Sequence, residues 1–284
     1  MTPGAPDPDD LRRVVDTALT EDLRYGPDAT TAATVPADAV AVAELTARAP
    51  GVLAGLPAAL AVLDAVLGRD GYTVLATHAD GENLSGGDVA LTVRAPVRGL
   101  LTAERTALNL VCHLSGIATA TRAWVDVVAG TGARIRDTRK TLPGLRLLEK
   151  YAVRCGGGVN HRLGLGDAVL IKDNHVAAAG SVGAALVAAR LHAPGLPCEV
   201  EVDTLDQLDE VLALDAELVL LDNFSVDDTA EAVRRRGSRP TRLESSGGLR
   251  LENACAYART GVDYLAVGAL THSVAALDLG LDLR

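Results

Sequence analysis

Hydrophobic positions along the chain follow two periods that take turns. Asp7, Pro8 and Asp10 supply an N-cap, a proline at the first helical position and an acidic first turn, which predicts a helix through LRRVVDTALTEDL. Beyond the loop RYGPDATT, residues 40–49 alternate as a strand does, and residues 57–67 are spaced as a helix that stops at Gly68. Residues 72–77 and 89–95 alternate again on either side of the turn-rich DGENLSGGD. Strands and helices mixed in this order predict an α+β unit of roughly a hundred residues. Helical spacing resumes over 101–128, with a break expected near Gly116.

After that helix, short β-rich runs recur at 133–136, 168–171, 198–202, 218–221, 241–243 and 264–267. Between the later runs lie helical segments with caps: Ser181 opens SVGAALVAARL, and Ser225 with Asp228 three residues on makes a capping-box-like start. Strands alternating with helices predict βαβ units and a parallel sheet. A spacing of about twenty to thirty residues suits an α/β barrel. A Rossmann sheet is disfavoured, because no GxGxxG follows the first strand. Six strands fall short of a complete barrel, so the sheet is expected to be incomplete or open.

Composition narrows the classes. The 284 residues are 48% hydrophobic but only 2% aromatic, so the core is drawn from Ala, Val and Leu. One Trp and one Phe leave no stacking platform for unpaired bases, and an acidic pI of about 5.1 further excludes nucleic acid. Apolar runs such as 58–66 are broken by charge well short of a membrane span. The acidic start MTPGAPDPDD lacks the basic and then apolar regions of a secretory leader. Cys112, Cys155, Cys198 and Cys255 lie far apart with no CxxC pair, which predicts reduced, mostly buried thiols in a cytoplasmic protein.

Charge points to a site. Residues 134–175 carry nine Lys or Arg against four acids, a local balance of +5 in a chain of net charge −10. An acidic protein that gathers cations in one stretch is expected to hold a small anion there. In parallel barrels the chemistry collects where strands end at their carboxyl edge. Here the runs end on Asp137-Thr138-Arg139-Lys140, on Lys172-Asp173-Asn174-His175, on Asp203 after inward-facing Glu199 and Glu201, on Asp222-Asn223, on Glu244-Ser245-Ser246-Gly247-Gly248, and on Gly268. Arg139, Lys140, Arg162 and Lys172 can pair with carboxylates or phosphates. Glu201 and Asp222 suit ribose hydroxyls or a magnesium ion with its waters. The Ser245–Gly248 loop and the Gly268 turn offer backbone N–H groups to a phosphate. Together these describe an anionic acid reacting with an activated sugar phosphate.

The same residues carry a resemblance. AERTALNL and CHLSGIATAT, then IRDTRKTLPGLR, KYAVRCGGGVNHRLGLGDAVLIKDNH, ESSGG and DYLAVGALTHS closely resemble the quinolinate phosphoribosyltransferases, also called carboxylating nicotinate-nucleotide pyrophosphorylases, over nearly the whole chain. The resemblance implies an α/β fold: an N-terminal α/β sandwich over 1–115, with the tail 271–284 packed on it, and an open seven-stranded α/β barrel over 116–270. It implies transfer of phosphoribose from phosphoribosyl pyrophosphate to quinolinate with decarboxylation, in NAD biosynthesis. Arg139, His161, Arg162 and Lys172 would line the quinolinate pocket, with Arg105 supplied by the neighbouring subunit of a homodimer or of a larger assembly of dimers, and Thr138 would also bind substrate. Lys140, Glu201 and Asp222 would face the donor and its Mg²⁺, held directly or through water. Ser245, Ser246, Gly247, Gly248 and Gly268 would surround the 5-phosphate. Arg105, Arg139, Lys140, His161, Arg162 and Lys172 are the expected catalytic set, with His161 a hydrogen-bond donor in the pocket.

Three other readings fit parts of the pattern. Lys172 at a strand end could form a Schiff base. A related transferase could act on another acid or without decarboxylation. An anion-binding protein could use the same cations without chemistry.

Overall fold

The computed structural model describes residues 4–284. In chain order its elements are α1 (Pro8–Asp22), α2 (Ala29–Thr34), β1 (Val40–Ala47), β2 (Gly51–Val52), α3 (Leu56–Leu67), β3 (Thr73–Thr77), β4 (Asn83–Leu84), β5 (Val89–Pro96), α4 (Val97–Val127), β6 (Arg134–Arg136), α5 (Arg146–Cys155), β7 (Val169–Ile171), α6 (Asp173–Ala179), α7 (Val182–His192), β8 (Cys198–Val202), α8 (Leu205–Ala213), β9 (Leu218–Asp222), α9 (Val226–Arg236), β10 (Arg242–Ser246), α10 (Leu251–Ala258), β11 (Tyr264–Ala266), α11 (Ala269–His272) and β12 (Leu279–Leu283). They form two compact units. The first runs to Arg122 and adds 141–157 and 270–284; the second takes 123–140 and 158–269. The division falls inside α4, after Arg122, and α5 joins the first unit.

The first unit is built on an antiparallel sheet in the order β12-β1-β5-β3. Alternation in β1 and β5 buries Leu45, Ala47, Leu91 and Val93 on one face. The tail supplies β12, which pairs with β1 from Ala43 opposite Leu283 to Ala47 opposite Leu279. Asp7 caps α1 by accepting the amides of Asp9 and Asp10. A remote carboxylate does the same for α3: Asp80 accepts from the amides of Gly55 and Leu56 at 2.7 and 3.2 Å, and from the Tyr151 hydroxyl at 2.7 Å. Glu149 on α5 is fully buried, accepting the Leu142 amide and bonding His113 of α4 at 2.8 Å.

The helix α4 does not break at Gly116; it runs unbroken for 31 residues. Gly116 is there for contact. A Cβ at that position would lie 2.2 Å from the carbonyl oxygen of Ala275, so only glycine lets the tail cross the helix so closely. Neither α4 nor any other described helix is long and apolar enough to cross a membrane.

The second unit holds six parallel strands in the order β6-β11-β10-β9-β8-β7. A seventh position is a single bridge, where Val159 pairs in parallel with Arg136. Its amide donates to Ile135 at 2.9 Å, and its carbonyl accepts from Asp137 at 3.1 Å. The sheet curls. Arg136 on β6 reaches Glu199 on β8 at 3.4 Å, although four strand spacings in a flat sheet would separate them by about 19 Å. The curl is open between the Val159 bridge and β7, which stand at the two ends of the strand order. Val200, Val219, Leu221, Leu243 and Leu265 are wholly buried and form the unit's apolar core; truncating one such leucine to alanine costs about 2–5 kcal/mol.

Candidate active site

The barrel's centre is polar. On β8, Glu199 and Glu201 alternate to the inner face, and on β10 Glu244 does the same in mid-strand. Glu199 is 4% exposed and Glu244 not at all. Arg136 lies between them, with Nη1 2.5 Å from Glu244 and 3.4 Å from Glu199, and its guanidinium stacks over Tyr264. Burial pushes both carboxyls up to about 7; Arg136 opposes the rise at each, and Glu199 adds to it at Glu244.

A strap of residues 158–162 lies against this centre. Asp137, fully buried at the end of β6, accepts the His161 amide at 2.8 Å and the Asn160 side-chain amide. The His161 ring is 7% exposed and both its nitrogens are engaged. Nδ1 lies 2.7 Å from the Arg162 amide, which can only donate, and Nε2 lies 2.9 Å from Glu199. The ring is therefore a neutral Nε2–H tautomer bonded within the protein. The Nε2–H expected to serve the pocket is directed at Glu199.

Arg139 and Arg162 are the two cations brought together at this end. The Arg162 guanidinium is pulled below its ordinary value by burial and then by the charge of Arg139. One Arg162 nitrogen donates to the Ala168 carbonyl at 3.2 Å, while the Nε atoms of both arginines are buried without a protein partner. Two desolvated guanidiniums that repel each other suit a ligand carrying more than one carboxylate. Thr138 accepts the Lys140 amide at 3.0 Å and so shapes the turn, and Lys140 is exposed.

At the next strand ends Lys172 meets Glu201 at 2.7 Å. The ring of His175 accepts the Lys172 amide and starts α6. Asp222 ends β9; burial raises its pKa, and Glu201 and Asp203 push the same way. These carboxylates fit a magnesium ion that keeps most of its own waters. Among the described residues, the group of three whose ligand atoms lie within 4.8 Å of one another is instead His161, Glu199 and Glu244. There the Arg136 guanidinium already stands where a cation would sit.

The Ser/Gly segment divides in two. Ser245 and Ser246 belong to β10, so alternation turns Ser245 away from the inner face that Glu244 and Ser246 share. Ser245 Oγ is buried without a protein partner. Gly247 (φ 86°) and Gly248 (φ 61°) then turn the chain towards α10. A Cβ on Gly247 would lie 2.1 Å from Asn223 Oδ1, and the Asn223 amide donates to Ser246 at 2.8 Å. The ends of β9 and β10 are thereby locked together. Gly268 follows β11 just before α11.

Residues 28–115 match the model for the N-terminal domain of quinolinate phosphoribosyl transferase, and residues 117–282 match the model for its C-terminal domain. The chain belongs to the quinolinate phosphoribosyl transferase family. A nicotinate-nucleotide pyrophosphorylase [carboxylating] of Mycobacterium leprae is 67% identical over 277 residues, covering 97% of this chain and 98% of that one. The solved nicotinate-nucleotide pyrophosphorylase of Francisella tularensis superposes with a TM-score of 0.93 at 36% identity, over 100% of this chain and 99% of that one. NadC of Streptococcus pyogenes gives 0.93 at 38% identity, over 99% of each chain.

For this quinolinate phosphoribosyl transferase family member, the +5 stretch is divided between the two units. Arg146, Lys150 and Arg154 lie on α5 in the first unit, where Arg146 bonds Thr141 and Arg154 bonds the Gly4 carbonyl. Arg105 is exposed on α4, also in the first unit. A cavity of about 500 Å³ in the second unit runs from the strands' beginnings, at Cys198, Leu218 and Arg242, to the polar centre, where Arg136, His161, Arg162 and Glu199 line it. It includes none of Arg139, Lys172, Asp222 and Ser246, which stand at the opposite edge. Sequence reasoning gave no role to Arg136 or Asn160, and it named Asp137 and Glu244 only as strand ends, without their partners His161 and Arg136. The signal for Arg136 was its charge inside a short β-rich run that should have been apolar.

Proposed function

We infer that this chain transfers phosphoribose from phosphoribosyl pyrophosphate to quinolinate, giving nicotinate mononucleotide, carbon dioxide and pyrophosphate in NAD biosynthesis. The observation that carries the reading is the match of both family domains along 28–115 and 117–282. Arg139 and Arg162 take the quinolinate carboxylates, Lys172 lies at the rim, and Arg105 comes from a second copy in a homodimer. Lys140, Glu201 and Asp222 meet the donor, and Ser246, Gly248 and Gly268 surround its 5-phosphate. The pyridine nitrogen attacks the anomeric carbon with its own lone pair while the bond to pyrophosphate breaks. No general base is required, and rate comes from alignment and charge. The ring nitrogen, now cationic, accepts the electron pair released as the adjacent carboxylate leaves as carbon dioxide, and a proton replaces it on the ring. Glu201 and Asp222 would hold a magnesium ion through its waters, and such an ion neutralises the departing pyrophosphate. The work is done in the cytoplasm.

The test is release of labelled carbon dioxide from carboxyl-labelled quinolinate. Release that depends on phosphoribosyl pyrophosphate and stops with chelator is expected. Turnover of nicotinate in place of quinolinate would sink the reading, and so would borohydride trapping of a carbonyl substrate on Lys172.

A further inference from the structure

Glu199 takes no part in that mechanism, yet it is a carboxylate placed 4% exposed in the middle of a barrel. A buried acid is costly to desolvate, and an apolar residue of similar size would fill the space without that penalty. Arg136 does not explain its presence, because that guanidinium is bonded closely to Glu244 and lies farther from Glu199. The short contact of Glu199 is with His161, 2.9 Å from Nε2. Glu244 stands 3.9 Å from the same nitrogen.

We propose that Glu199 is a positioning residue: by holding the Nε2–H of His161 it fixes the ring whose Nδ1 accepts the Arg162 amide, and so sets the Arg162 guanidinium beside Arg139. Each link is a direct contact. Asp137 holds the His161 backbone from one side and Glu199 holds its ring from the other. With the tautomer fixed, Nδ1 keeps its lone pair for the Arg162 amide at 2.7 Å. Arg162 needs this support, because the positive charge of Arg139 opposes it, its Nη1 holds only a backbone carbonyl, that of Ala168 at 3.2 Å, and its Nε is buried without a protein partner. Without the ring, the like charges would drift apart before a dianion could bridge them. The groups facing Glu199 are Arg136, His161, Arg162, Glu201, Lys172 and Glu244. Among these, His161 alone offers it a neutral donor that leads back to the pocket.

The inference rests on the proposed reaction. Its test compares steady-state kinetics of Glu199→Gln, Glu199→Leu and Glu244→Gln with wild type. Glutamine keeps an acceptor for Nε2–H, so Glu199→Gln should retain the quinolinate KM within about twofold. Glu199→Leu should raise that KM by about tenfold to a hundredfold, the scale of a misplaced binding group, with the donor KM unchanged. Glu244→Gln should leave the quinolinate KM alone. A wild-type KM in Glu199→Leu overturns the proposal, as does an equal loss for both substrates. The ¹⁵N spectrum of His161 in the wild-type protein needs no variant to fold: an Nε2–H ring supports the relay, and an Nδ1–H or charged ring defeats it. Wild-type enzyme that leaves quinolinate untouched is the separate outcome that removes the proposed reaction itself.

Discussion

At the scale of single residues, the centre of the second unit stores a pH dependence. Glu244 is raised by burial to about 7 from an ordinary 4.5, so the folded chain holds that proton more tightly than the unfolded one. Its contribution to stability is complete below about 4.5 and is lost as pH rises through about 7. Glu244→Gln removes the titration and should flatten that part of the profile. Tm measured at about pH 5 and about pH 8 should fall less in the variant than in wild type; an equal fall in both would show that Glu244 is already ionised in the folded chain at the lower pH. The cations proposed to meet ligand were legible in the sequence, because Arg139, Arg162 and Lys172 stand in the polar stretches TRK, NHR and KDNH. Their support was not. Arg136 meets Glu199 and Glu244 across separations of 63 and 108 residues, and no local pattern encodes a partner so distant.

At the scale of elements, α4 shows one residue type carrying two meanings. Glycine in a helical pattern reads as a break, but Gly116 is a point of closest approach to Ala275. Gly116→Ala should raise helix propensity by about 1 kcal/mol and still destabilise the protein by about 1–3 kcal/mol, since the added methyl group meets backbone that cannot rotate away. Thermal unfolding and a structure of the variant would check this; a rise in Tm would show that the tail can shift. The caps at Asp7, Ser181 and Ser225 were readable because their signal is local. The seventh strand was not: it is one bridge at Val159, preceded by Gly156-Gly157-Gly158, and one residue has no period. The amphipathic run of α5 was hidden by its own cations, which count towards charge as readily as towards a solvated helix face.

At the scale of the whole molecule, neither unit is one stretch of chain, since the first is assembled from three segments and the second from two. Arg105 and Arg139 belong to different units, so the proposed sharing of sites between copies is open to complementation. Arg105→Ala and Arg139→Ala should each lose nearly all turnover alone. Mixed under exchange conditions they should regain up to about a quarter of wild-type activity, as random pairing of two defective copies allows. No recovery would mean that each copy keeps its own Arg105. The interleaving of segments also sets an order for biosynthesis. β1 is made early, yet its partner β12 leaves the ribosome only after the entire second unit has been translated. Until then the nascent first sheet presents an unpaired edge, the kind of surface that chaperones cover.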